Sequence, residues 1–278
     1  MIEVKFDRYQ HIPILEGMKP TPRILLGKTL LWTIKEDGEC ITLWLKGKKR
    51  KSPAISSRNM ESASSDIQTR VKGTQEYPIL LQLLKDNPHY RIVVEECRKG
   101  RSVTGIKTYD RDQLFVIDIF DFAQGKYLPY VLAHQICYHI KIPIVKLFAE
   151  TRHRTMKDLR KFANHVLEHC NAVKEEGMVI KTYADDGELI QAKVKLDVPQ
   201  PVERKIRQGE PILPQIPENE IWGALSKVEA DCGLTGNPKD DMPKVAQAIE
   251  LECKKHLYSK PKKNFFAYYQ DYLERMSK

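Results

Sequence analysis

The sequence predicts an α+β chain, with a strand-rich first part followed by a small all-helical second part. Three observations carry this. Up to Lys195, short runs of Val, Ile, Leu and aromatic residues recur between turn-forming Gly, Lys and Asp. A stretch holding Pro199, Pro201, Pro211, Pro214 and Pro217 follows, and prolines at that density read as a connector. Beyond it, apolar residues recur at helical spacing. The boundaries are drawn at residues 1–203 and 204–278. A chain of 278 residues suits one large domain with a small one.

The first part offers six strands: Thr29 to Ile34, Cys40 to Leu45, Tyr90 to Cys97, Gln113 to Phe122, Gly177 to Tyr183 and Leu189 to Lys195. Two helices interrupt them, over residues 128–141 and 155–174. In the second, Thr155 caps, and Leu159, Phe162, Val166, Cys170 and Val173 share a face. The run Lys46-Gly47-Lys48-Lys49-Arg50-Lys51 reads as a basic hairpin turn. In the second part, Ile221, Trp222, Leu225 and Val228 share one face, and Val245, Ile249 and Leu257 another. Asn264 caps a last helix bearing Phe265, Phe266, Tyr269, Tyr272, Leu273 and Met276. Such a stripe suits a core. Beside Lys254, Lys255, Lys260, Lys262 and Lys263 it also suits contact with a phosphate backbone.

Composition narrows the class. Lys+Arg outnumber Asp+Glu 46 to 37, a net +9, which favours a polyanionic partner. Residues 204–278 carry 13 basic against 11 acidic residues, so most of the excess lies in the first part. With 41% hydrophobic residues the chain has material for a core and is not disordered. No run of 18 apolar residues exists, which excludes a helical membrane span. Met1 to Lys5 do not open a signal peptide, and six scattered cysteines without a Cys-x-x-Cys read as reduced, hence an intracellular, cytoplasmic chain. His134, Cys137 and His139, and His165, His169 and Cys170, are the candidate zinc ligands. Zinc needs three or four converging ligands, and spacing pairs none of these groups. Ordinary surface and core placement is the reading for both.

One constellation carries chemistry. Lys35-Glu36-Asp37-Gly38 ends the first strand. Arg58 follows Ser56-Ser57, and Val93-Val94-Glu95-Glu96 ends a strand in acids. Phe115-Val116-Ile117-Asp118, Glu175-Glu176-Gly177-Met178-Val179-Ile180-Lys181 and Ala192-Lys193-Val194-Lys195 come next. A lysine attacks phosphorus only as the neutral amine, so its site must depress a pKa near 10.4. Lys193 and Lys195 alternate along one strand and point to one face. They are expected to depress it and to offset phosphate charge.

In order and spacing, residues 25 to 196 resemble the motif series of the covalent nucleotidyltransferases: ATP-dependent DNA ligases, RNA ligases and mRNA capping enzymes. The resemblance implies a nucleotidyltransferase (ligase adenylation) domain of antiparallel sheets with flanking helices. It makes Lys35 the nucleophile that becomes a lysine–AMP phosphoramidate. Ile34, Asp37, Gly38, Arg58, Glu96, Ile117, Glu176, Lys193 and Lys195 become nucleotide-binding residues, with Glu95 the alternative to Glu96. Glu176 would also serve a Mg²⁺ or Mn²⁺ ion, with ATP as AMP donor. Cys40 stands where DNA ligases usually have arginine, and Ile117 where the family usually has an aromatic. DNA ligases and capping enzymes follow the last lysine motif with an OB-fold, which needs five strands. The helical tail is instead the arrangement of RNA ligase 2-like enzymes. The reading is an ATP-dependent RNA ligase sealing 5′-phosphate and 3′-hydroxyl RNA ends, as in a nicked duplex. A minimal DNA ligase, or a non-catalytic nucleic-acid-binding protein on the same fold, is the alternative.

Overall fold

A computed structural model describes residues 9–18, 21–47, 52–100, 104–184, 186–196, 218–256 and 265–276. The chain divides into two compact units, Met1–Glu16 with Pro20–Leu196, and Gly17–Lys19 with Asp197–Lys278. The expected boundary at 203, the proline connector and the basic turn at Lys48 to Lys51 lie outside the described residues, as do Lys260, Lys262, Lys263 and Asn264.

The first unit is built from β1 (Leu30–Ile34), β2 (Glu39–Lys46), β3 (Ser52–Ser57), α1 (Ser65–Gly73), α2 (Tyr77–Asp86), β4 (Tyr90–Cys97), β5 (Gln113–Asp121), β6 (Lys126–Tyr127), α3 (Tyr130–His139), β7 (Leu147–Thr151), α4 (Met156–Val173), β8 (Gly177–Tyr183) and β9 (Leu189–Lys195). All six expected strands form. The two expected helices form as α3 and α4, and α1, α2, β3, β6 and β7 join them. The strands make two sheets, in the orders β7-β1-β8-β9 and β3-β2-β4-β5-β6, with every strand pair antiparallel.

Each sheet has one face sealed by helices. In the larger sheet, Ile41, Leu43, Ile92, Val94, Leu114, Val116 and Ile119 point to one face. There they join Val71 of α1, Leu80 and Leu84 of α2, and Ala133 and Cys137 of α3 in one hydrophobic core. Burying such side chains stabilises by about 1.5–3 kcal/mol each. In the smaller sheet, α4 is capped by Thr155, whose side chain accepts from the Asp158 N–H, and it buries Leu159, Val166 and Cys170. Its Phe162 meets Trp32 of β1 edge-on at 4.9 Å. Val173, expected on the same face, is about half exposed because the helix ends there, with Lys174 in the left-handed conformation.

The opposite faces carry polar residues. Alternation puts Arg91, Val93, Glu95 and Cys97 of β4 on one side and Ile92, Val94 and Glu96 on the other. In β5, Val93 pairs with Asp118 but Val94 pairs with Val116, so Ile117 is an extra residue in a β-bulge. The bulge puts Ile117 and Asp118 on the same, non-core side.

In the second unit, α5 (Glu218–Cys232), α6 (Pro238–His256) and α7 (Phe265–Met276) are its described elements beyond residue 217. Ile221, Trp222, Leu225, Val245, Ile249, Tyr268, Tyr269 and Tyr272 are buried, and Phe266 is exposed. The Trp222 and Tyr272 rings stack at 5.9 Å. No described helix is long and apolar enough to cross a membrane.

Candidate active site

Lys35 follows the last residue of β1, and its N–H still pairs with the Gly177 carbonyl at 3.0 Å. This extends the β1–β8 ladder and sets the lysine over the end of β8. Its ammonium forms an ion pair with Glu176, the residue before β8. Thr33, Ile34, Lys35, Arg58, Glu95, Ile117, Val179 and Lys181 line one cavity, together with Tyr9 and Ile12. The cavity measures about 50 Å³, room for a few water molecules.

Two glycines make the close approach possible. A Cβ on Gly38 would stand 2.3 Å from the Glu96 carbonyl oxygen, and one on Gly177 2.2 Å from that of Val194. The Gly38 N–H reaches the Glu95 carboxylate at 3.3 Å. Asp37 is buried outside the cavity. Its carboxylate accepts from the Thr104 N–H at 2.9 Å, fastening the loop after β4.

The alternation of β4 decides between the two acids. Glu95 faces Lys35 and Arg58, whereas Glu96, expected in the nucleotide site, points the other way. It accepts from Arg70 Nε of α1 at 3.0 Å and lies 3.5 Å from Arg98 Nε. Glu96 is a structural ion-pair residue here, and Glu95 takes the pocket position.

The electrostatics also differ from expectation. Burial works to lower the Lys35 pKa, but Glu176 and Glu95 more than offset it, and the net direction is upward. Arg58 is a cation that acts against Lys35 and works to lower its pKa. The expected depression is absent because two carboxylates face a single lysine. Burial pushes Glu95 up to about 7, against the pull of Lys35 and Arg58.

Lys193 and Lys195 lie opposite Val179 and Gly177 of β8, on one face of β9. They flank the cavity without lining it. Lys181, on the same face of β8, is fully buried and donates to the Ile117 carbonyl at 2.8 Å and to Asp118 at 2.7 Å.

Sequence reasoning assigned no role to Lys181, Asp118, Tyr9 or His11. Lys181 ends the Glu-Gly-Met-Val-Ile-Lys run and was visible there. Tyr9 and His11 precede β1 by some twenty residues and carry no local signal. Tyr9 donates to Asp118 at 2.6 Å. His11 lies 2.9 Å from Lys193 Nζ and 3.3 Å from an Arg58 nitrogen. Ile14 pairs in parallel with Lys193, whose N–H donates to the Pro13 carbonyl at 2.8 Å.

A larger cleft of about 690 Å³ shares Ile34 and Glu36 with this cavity. At its rim Lys107 bridges Glu36 at 2.7 Å and Glu175 at 2.8 Å. Among the described residues, no three His, Cys, Asp or Glu side chains gather as a metal cluster. His134 and His139 are exposed whereas Cys137 is buried, and His169 packs against Phe148 at 4.8 Å.

No family model and no curated protein matches the chain. Solved structures do. A candidate ATP-dependent DNA ligase from Aquifex aeolicus superposes with a TM-score of 0.51 at 14% identity, covering 89% of this chain and 59% of that one. A mutant of a Naegleria gruberi RNA ligase, solved with ATP and Mn, gives 0.52 at 15% identity, covering 68% and 55%. The same ligase with PPi gives 0.53 at 15%, covering 67% and 55%. The chain thus spans little more than half the length of these proteins. At such identities the likeness establishes the fold, which is the α+β nucleotidyltransferase fold of the ligases.

Proposed function

We propose that the chain is an ATP-dependent RNA ligase working through a lysine–AMP intermediate on Lys35. The observation that carries this reading is convergence. Lys35, Arg58, Glu95, Ile117 and Val179 come from five separate segments and line one cavity, with Glu176 paired to the lysine. Their order along the chain is that of the ligase motifs. Arg58 Nε is buried there without a hydrogen-bond partner, and a buried donor of this kind is costly unless a ligand accepts from it.

Lys35 rests as an ammonium held by Glu176. Before it can attack, it must lose a proton and that carboxylate partner. The amine lone pair then forms the N–P bond to the α-phosphorus while the bond to the bridging oxygen breaks, and pyrophosphate leaves with that electron pair. The second amine proton passes to solvent or to the leaving group. Transfer to an RNA 5′-phosphate reverses the linkage: a phosphate oxygen takes the AMP and the lysine amine is released. A 3′-hydroxyl then attacks the activated phosphate, and AMP departs. Ile34, Ile117 and Val179 supply apolar walls for the base, with Ile117 contacting it by dispersion where an aromatic would stack.

The donor set fits a divalent ion. Glu176 and Glu95 are hard oxygen ligands, and Mg²⁺ or Mn²⁺ is commonly held by one or two carboxylates together with substrate phosphates. Such an ion, when bound, would neutralise phosphate charge, and a Glu176 engaged on it would release Lys35.

The RNA assignment rests on the helices α5, α6 and α7 following the last lysine motif. A DNA ligase is the second reading. It is favoured by the Aquifex match, which covers 89% of the chain against 68% for the RNA ligase. Incubation with α-labelled ATP and Mg²⁺ tests the core claim. The parent protein becomes labelled through an acid-labile bond, while Lys35→Ala and Lys35→Arg stay unlabelled and folded; a guanidinium remains protonated and cannot attack. Label on the Ala variant would end the assignment. Sealing of nicked RNA against nicked DNA then separates the two substrates.

A further inference from the structure

We infer that His11, which lies in none of the motifs, is a phosphate-binding residue and forms with Arg58 and Lys193 a three-sided cradle for one phosphate group of the nucleotide. The inference rests on reading the adjoining cavity as a nucleotide site.

The hydrogen-bonding chemistry of the three groups points to an anion. His11 presents Nδ1 to an Arg58 guanidinium nitrogen at 3.3 Å and Nε2 to Lys193 Nζ at 2.9 Å. Guanidinium and ammonium groups donate and never accept, and a neutral imidazole has one donor and one acceptor nitrogen. One of the two contacts therefore sets an N–H against a cation. A phosphate placed among the three removes the conflict, because its oxygens accept from the imidazolium, the guanidinium and the ammonium together. Glu95, the carboxylate that acts most strongly on Arg58, reaches it from β4, and Asp118 is engaged by Tyr9 and Lys181.

The ring is also held in place before any ligand arrives. Two residues before it, Tyr9 is anchored to Asp118 at 2.6 Å and receives the Gln191 side-chain amide at 2.8 Å. Two residues after it, the Pro13 carbonyl takes the Lys193 N–H at 2.8 Å, and Ile14 pairs with Lys193. Donors fixed in this way lose little freedom when an anion binds, so their contribution to affinity is large.

The test is equilibrium binding of adenosine, AMP and α,β-methylene-ATP, which cannot donate AMP, to the full chain and to His11→Gln and His11→Ala. His11→Gln keeps the bulk of the ring and its hydrogen bonding but not its charge. The expected result is a loss of about tenfold or more for AMP or for the ATP analogue in both variants, as for a hydrogen bond to a charged group. Adenosine affinity should stay within about twofold. Equal losses for all three ligands would make His11 only a packing residue of the segment, and no loss for any would remove it from the site; either overturns the cradle. A parent protein that binds none of the three would refute the nucleotide reading and the cradle together, whereas a parent that binds, with variants matching it, refutes the cradle alone.

Discussion

Glu95 and Glu96 are chemically the same side chain, and only the pleat of β4 separates their roles. Glu95→Gln should reduce lysine adenylation at least tenfold. Glu96→Gln should leave adenylation nearly unchanged and cost stability through Arg70 and Arg98; labelling rates and thermal melts on both variants check this. The pH dependence has a definite sign. The Glu95 carboxyl rises from an ordinary 4.5 to about 7 in the folded protein, chiefly through burial. Between those values the folded state holds a proton that the unfolded chain has lost, so stability falls as pH rises through this window and levels off above about 7. The fall is on the order of 3 kcal/mol at about 1.4 kcal/mol per pKa unit. The melting temperature of Glu95→Gln relative to the parent should therefore increase from pH 5 to pH 8, and a constant difference would refute the assignment. Lys193→Ala and Lys195→Ala should each slow adenylation by about 10² if they act as cations toward the transition state. An unchanged rate in either variant would make that lysine a bystander.

The strands that carry motifs were legible because each is a compact apolar run with period-two alternation, and Tyr90–Cys97, Gly177–Tyr183 and Leu189–Lys195 form where expected. The elements without a motif are silent for physical reasons. Only Val71 of α1 is buried, so the helix has almost no apolar stripe. Edge strand β7 pairs with β1 and has no buried residue to mark it. Linear motifs singled out Lys35, Arg58 and Ile117, which line the cavity, Glu176, which pairs with Lys35, and Lys193 and Lys195, which flank it. Which of two adjacent acids faces the pocket depends on register, and the contacts of Tyr9 and His11 depend on a chain closure no local pattern encodes. At this scale the tight seams are the most fragile feature. Gly177→Ala would press a Cβ onto the backbone of β9, where neither side can yield cheaply. It should cost about 2–3 kcal/mol, in the range of overpacked cores, and lower the melting temperature by roughly 4–12 °C for a unit of this size. A melt within about 1 °C of the parent would show that the β8–β9 seam is looser than described.

For the whole molecule, the motif residues end at Lys195 and the second unit has a core of its own around Trp222, Tyr269 and Tyr272. A chain ending at residue 196 should still label Lys35 from ATP and should largely lose sealing of 5′-phosphorylated RNA, measured as labelling and joining on the same preparation. Full sealing by the shortened chain would deny the second unit any part in handling the polynucleotide. The pairing of Ile14 with Lys193 has a consequence for biosynthesis. His11 and Lys193 stand 182 residues apart, so the segment from Tyr9 to Ile14 finds its place only when the last strand of its unit has left the ribosome. At about 5–20 residues per second that wait is roughly 10 to 40 s. Contacts of such separation also close late and slowly. Throughout that interval the emerging chain has the β1 segment and its lysine but no enclosed cavity around them, so under the proposed function a half-made protein could not hold ATP against Lys35.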